Sequence, residues 1–177
     1  TALASLDLSG SRNALAPPAA GRELSTVDAA CAAALVVELE PLLVSGRLTS
    51  LRLSRCGLGD HGTVLLCSAL ATAATVTTLD VRSNSIGENG GLALARLTAE
   101  CDSLAGLNVS ANLLFRPPSA ADGEAARPSL APAALAEALG ASKGLRRLSW
   151  RCTATSLPRT SSRARCAWLA ALVRMLQ

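Results

Sequence analysis

Residues 48 to 62 read LTSLRLSRCGLGDHG, and 28 residues later the chain continues VTTLDVRSNSIGENG. This near-repetition constrains the fold more than any other feature. Aligned on their first apolar residue, one unit runs Leu48, Leu51, Leu53, Cys56, Leu58. The next runs Val76, Leu79, Val81, Asn84, Ile86, and a third runs Leu104, Leu107, Val109, Asn112, Leu114. The starts at 48, 76 and 104 are 28 apart both times. A fixed period of this size signals units that cannot bury an apolar face alone and must stack on one another.

Each unit has a readable internal plan. Leucines alternating with polar residues, as in TSLRLS, bury one face of a short strand. The apolar residue that follows, Leu58 or Ile86, turns the chain inward. Asn84 and Asn112 fall in that turn, where a side-chain amide can both donate to and accept from backbone groups that the bend leaves unpaired. Cys56 fills the same slot with a weaker donor. A helix follows: Gly59 and Gly87 provide a tight entry, Asp60 and Glu88 sit near a positive helix end, and Gly62 and Gly90 are expected to bring the helix close to the strands. Leu65, Leu66, Ala69 and Leu70 form a stripe at helical spacing. Further helices are expected from Ser25, from Ala131 with Pro132 in the first turn, and from Thr160, with Ser25 or Thr26 and Thr160 or Ser161 as N-caps.

Two more units are looser. Leu145, Leu148 and Trp150 follow after 41 residues, which leaves a 13-residue insertion; Leu3, Leu6 and Leu8 precede Leu48 by 45, which leaves 17 extra residues. Asn13 arrives two places late in the first unit, and Cys152 one place early in the last. The pattern LxxLxLxx(N/C)xL followed by a long helix resembles the ribonuclease-inhibitor-like leucine-rich repeat. That subtype occurs in Ran GTPase-activating proteins, in the repeat domains of NOD-like receptors, and in ciliary and cytoskeletal subunits. The resemblance implies an α/β solenoid, a horseshoe arc of about five strand–helix units. It has a parallel sheet on the concave side and helices on the convex side. One domain is expected over 1–177, with units near 3–45, 48–75, 76–103, 104–144 and 145–177 and Pro-rich inserts near 11–24 and 116–128. The chain reads as a segment of a longer protein.

Enzymatic motifs do not emerge. His61 is the single histidine and lies at a helix entry. No GxSxG, GxGxxG, P-loop or metal-spaced carboxylate pair occurs, so no catalytic residue, metal or cofactor is expected. The six cysteines lack CxxC spacing and are expected to be free buried thiols of a reducing, cytoplasmic compartment. No apolar run is long enough to span a bilayer; the longest candidate, from Ala29, is interrupted by Glu38, Glu40 and Pro41.

The resemblance places function on binding, with other proteins as partners and a multi-subunit assembly, cytoskeletal or ciliary, as the expected setting. Variable concave positions lie between the leucines. They are Ser5, Asp7 and Ser9; Ser50, Arg52 and Ser54; Thr78, Asp80 and Arg82; Gly106, Asn108 and Ser110; and Arg147, Ser149 and Arg151. The candidate partner-binding set on this face is Arg52, Ser54, Thr78, Asp80, Arg82, Asn108, Ser110 and Ser149. A second candidate is the basic end. Residues 1–139 hold nine arginines and all thirteen acids, net −4, whereas 140–177 hold Lys143 and seven arginines and no acid, net +8. Arg146, Arg147, Arg151, Arg159, Arg163 and Arg165 are therefore expected to face an acidic partner. Nucleic acid is disfavoured because only Phe115, Trp150 and Trp168 are aromatic. The alternative from another class is GTPase activation of the Ran type.

Overall fold

The computed structural model describes residues 3–10, 26–73, 75–114 and 130–150. Strands and helices alternate: β1 (Ser5–Asp7), α1 (Thr26–Val44), β2 (Ser50–Arg52), α2 (Gly59–Thr72), β3 (Thr78–Asp80), α3 (Glu88–Glu100), β4 (Gly106–Asn108), α4 (Ala131–Ala141) and β5 (Arg147–Ser149). The strands form one parallel sheet in sequence order. Its register follows the repeat: Leu6, Leu51, Leu79, Leu107 and Leu148 align across neighbouring strands. The 41-residue step to Leu148 therefore leaves the register unbroken. The result is the expected α/β leucine-rich repeat solenoid, with full helices behind a short-stranded sheet.

Apolar residues at the repeat positions build a continuous core between sheet and helices. Leu51, Leu53, Leu79, Val81, Leu107 and Val109 are buried on the sheet side, and Leu66, Leu94 and Leu135 meet them from the helices. Leu3 departs from the pattern and is 49% exposed. Among the described residues its strand has only β2 beside it, so no described neighbour covers that flank. Trp150 packs partly buried against the core at the other end.

The asparagine slot ties the units together. The Asn84 side chain is fully buried. Its Oδ1 accepts from the N–H groups of Cys56 (2.9 Å) and Leu58 (3.3 Å) in the preceding unit. Its Nδ2 donates to the carbonyls of Leu53 (2.7 Å) and Val81 (2.9 Å). Asn112 repeats the arrangement one unit on, accepting from Asn84 and Ile86 and donating to Val81 and Val109. Cys56 donates its thiol to the Leu8 carbonyl at 3.2 Å, the equivalent of one arm of the amide. The residue before each slot, Arg55, Ser83 or Ala111, takes a left-handed φ of 59°, 57° or 56°, which lets the bend close.

Asp60 and Glu88 stand in the first turns of α2 and α3 as expected, but their side-chain bonds go further than expected, and the glycines depart from the expectation. Asp60 does not cap its own helix. Its Oδ1 accepts from Gly87 (2.6 Å) and Gly90 (2.9 Å), at the start of α3 in the next unit. Glu88 likewise accepts from Leu130 (3.2 Å), the residue before α4. Each carboxylate thus reaches orphan N–H groups of the following helix and its positive end. The Asp60→Ala variant is expected to lose about 1 kcal/mol of stability, a typical cap value. Urea denaturation would show it, and an unchanged midpoint would refute the inter-unit cap.

The glycines serve helix–helix contact rather than helix–strand contact. A Cβ at Gly62 would sit 2.7 Å from the Ala32 Cβ of α1; one at Gly90 would meet the Ile86 Cγ2 of its own entry turn at 2.6 Å, then the Asp60 carboxylate at 2.8 Å and Thr63 of α2 at 3.2 Å. Helix α1 also runs five residues past Leu39, through Pro41. Proline in the last turn forfeits one hydrogen bond, and Gly46, at φ 67°, ends the segment. The two inserts, the proposed N-cap side chains, Phe115, Cys152 and the last unit's helix lie outside the described residues.

Candidate protein-binding surface

Two rows of side chains cross the face of the sheet opposite the helices. Parallel register aligns Ser5, Ser50, Thr78, Gly106 and Arg147 in one row, and Asp7, Arg52, Asp80, Asn108 and Ser149 in the other. Because strand residues alternate, Leu51, Leu79 and Leu107 between these rows point into the core. The face is therefore polar, with mostly short side chains, apart from Arg52 and Arg147, over a rigid sheet.

Charge on this face is partly self-compensated. Arg52 lies 3.7 Å from Asp7, and Arg82 lies 3.4 Å from Asp80. The hydroxyl and backbone N–H of Ser9 hold the Asp7 carboxyl below its ordinary value, with Arg52 adding a smaller effect. Asp80 and Asn108 each accept from the backbone N–H two residues on, Arg82 and Ser110, which fixes their side chains at the strand ends.

Most of the sequence-predicted concave set lies together on this face. Arg52, Thr78 and Arg82 are exposed; Asp80, Asn108 and Ser149 are half-buried. Ser54 and Ser110 are different, only 6% and 8% exposed. The strands are three residues long, so these serines already belong to the buried turn and do not reach the open face. At the basic end, Arg146 and Arg147 are exposed. Arg151, Arg159, Arg163 and Arg165 lie outside the described residues.

A second concavity escaped the sequence reading. Between α2 and α3 runs an open groove of about 700 Å³ lined by His61, Val64, Cys67, Ser68, Arg96 and Glu100, among others. Its signal was present: His61 and Asn89, Val64 and Leu92, and Ser68 and Arg96 are 28 apart. No group of metal-ligating side chains occurs among the described residues.

The cysteines are less uniform than expected. Cys67 is buried, Cys56 and Cys101 are half-buried, and Cys31 is exposed; all four are free thiols. Burial pushes the Cys67 thiol up from 9.0 to about 12. A thiol that stays protonated in the fold but ionises when unfolded stabilises the fold below pH 9 and loses that contribution as pH rises toward 12. Stability is expected to fall from pH 9 upward, less steeply in Cys67→Ala. A disulfide reagent at neutral pH should label Cys31 well before Cys67; equal rates would contradict the burial.

Comparison with known proteins agrees on the fold. A leucine-rich repeat family signature matches residues 48–67 and 72–95. A structure of leiomodin-1 actin-binding site 2 is similar at 17% identity with a TM-score of 0.56, covering 81% of this chain and 73% of that one. A tropomodulin C-terminal domain from Caenorhabditis elegans aligns at 16% identity with a TM-score of 0.48, covering 80% and 77%. No curated protein matches the chain in sequence.

Proposed function

This chain folds as a leucine-rich repeat protein, and we propose that it is a non-enzymatic scaffold that binds another protein across its concave sheet. The observation that carries this reading is the two-row face itself. Five strands in unbroken register present mostly short polar side chains on a rigid support, so a partner can lie along them at little entropic cost. The charge partition of the chain adds the kind of partner: an acidic surface meets the end that carries Arg146, Arg147 and the arginines beyond them. The setting is a multi-subunit assembly in the cytoplasm, cytoskeletal or ciliary in kind. Actin is the first partner to try, because the leiomodin-1 structure of like fold is an actin-binding site. No helix among the described residues is long and apolar enough to cross a membrane.

The test is affinity capture followed by mass spectrometry, run with the wild type and with Arg52→Glu/Asp80→Arg/Arg82→Glu, alongside cosedimentation with actin filaments. A partner retained by the wild type and lost by the triple variant supports the reading. Partners held equally by both would place binding elsewhere. Stimulation of GTP hydrolysis by small GTPases, by orders of magnitude, would replace the scaffold with a GTPase activator.

A further inference from the structure

The geometry points to a carboxylate-binding notch over Gly106, in which an aspartate or glutamate side chain of the partner is held by Thr78, Asn108 and Arg147. This rests on the reading of the concave face as the binding surface and adds the chemistry it selects.

The notch arises from one missing side chain. In the row Ser5, Ser50, Thr78, Gly106, Arg147, Gly106 alone has no side chain. A Cβ there would touch the Thr78 Cγ2 at 3.3 Å and otherwise come no nearer than 3.9 Å to its closest neighbours. Thr78 and Arg147 are its register partners on the two adjoining strands, so they flank it at the strand spacing of about 4.8 Å. Asn108 stands two residues along the same strand and on the same face. The notch is therefore walled on three sides, with open space above.

Its walls are donors. Asn108 commits its Oδ1 to the Ser110 N–H at 3.2 Å, which leaves the Nδ2 hydrogens for a ligand. Among the described residues, neither the Thr78 hydroxyl nor the Arg147 guanidinium has a hydrogen-bond or ion-pair partner. The carboxylates of the face are already engaged, Asp7 by Arg52 and Asp80 by Arg82. Among the described residues of the two rows, Arg147 is thus a cation without an ion-pair partner. A carboxylate, an acceptor only, can take charge-assisted bonds from all three groups. No aromatic stands in either row to stack a base, which favours an acidic protein segment over nucleic acid.

Decaglutamate carrying a fluorophore serves as the probe, titrated into the whole 177-residue chain with anisotropy as readout. Gly106→Leu is the decisive variant, because it fills the notch without altering charge. It is expected to weaken binding about fivefold, the loss of roughly 1 kcal/mol, and Thr78→Val and Asn108→Ala are expected to weaken it in the same direction. Amide shifts in the NMR spectrum should centre on Gly106, Thr78 and Asn108. If Gly106→Leu fails to fold, by its thermal midpoint, the two charge-neutral variants decide alone. Unchanged affinity in the charge-neutral variants that fold would overturn the notch, since attraction by the arginines in general would then suffice. Equal binding of decaglutamine, or tighter binding of a single-stranded RNA decamer, would overturn it as well. A notch that fails while the Arg52/Asp80/Arg82 variant still loses its native partner removes this inference and leaves the concave reading standing.

Discussion

Replacing Asn84 with alanine is expected to remove about 3–5 kcal/mol of folding stability, the range for breaking a buried hydrogen-bond network. The reason is the number of groups left behind. Cys56 and Leu58 would each lose an acceptor for a backbone N–H, and Leu53 and Val81 would each lose a donor. No water reaches a side chain that is 0% exposed. Domains of this kind are stable by only about 5–15 kcal/mol, so the variant should stand near its unfolding threshold. Asn84→Cys should fall between, because a thiol can donate as Cys56 does to Leu8 but cannot hold two N–H groups at once. A urea midpoint for Asn84→Ala within about 0.5 kcal/mol of wild type, the size of an ordinary surface change, would refute the inter-unit role.

Leu79→Ala is expected to cost about 2–5 kcal/mol through lost burial and a residual cavity. Leu79 is 2% exposed at the middle of the sheet, with Leu51 and Leu107 beside it. The neighbouring strands are fixed by their own units and cannot collapse into the space. The comparison is Leu6→Ala on the edge strand, where the side chain is only partly buried, and a smaller loss is expected. Denaturation of both variants checks the register. Equal losses, or less than about 1 kcal/mol at Leu79, would mean that the repeat has been aligned to the wrong face.

The repeat was legible because it rests on chain-local spacing. Leu48, Val76 and Leu104 set a common origin, and every inward-facing strand leucine follows from it, including the half-buried Leu148 beyond an insertion. Asn84 and Asn112 were legible as turn residues by their chemistry. What they bond to was not, since Cys56 and Leu58 lie in the preceding unit. Asp60 shows the same limit: its position near a helix start was plain, but it caps the helix 27 residues on. Gly62 and Gly90 were correctly read as sites of close approach, yet the approaching element is a helix. Ser54 and Ser110 were assigned to the face by continuing the strand's alternation past its third residue, where the turn buries them. The concave site was legible as positions, and the ion pairs that engage Asp7 and Asp80 appeared only when the strands were set side by side.

The central claim is that the concave sheet is the surface that meets the partner. Site-specific photocrosslinking tests it directly. A photoreactive phenylalanine analogue is placed at Thr78, exposed on the concave face, and separately at Ser68, exposed on α2. Crosslinked partner from position 78 and little from position 68 is the result expected. Crosslinks to the same partner from position 68 alone would contradict the claim and move the binding surface to the convex helices.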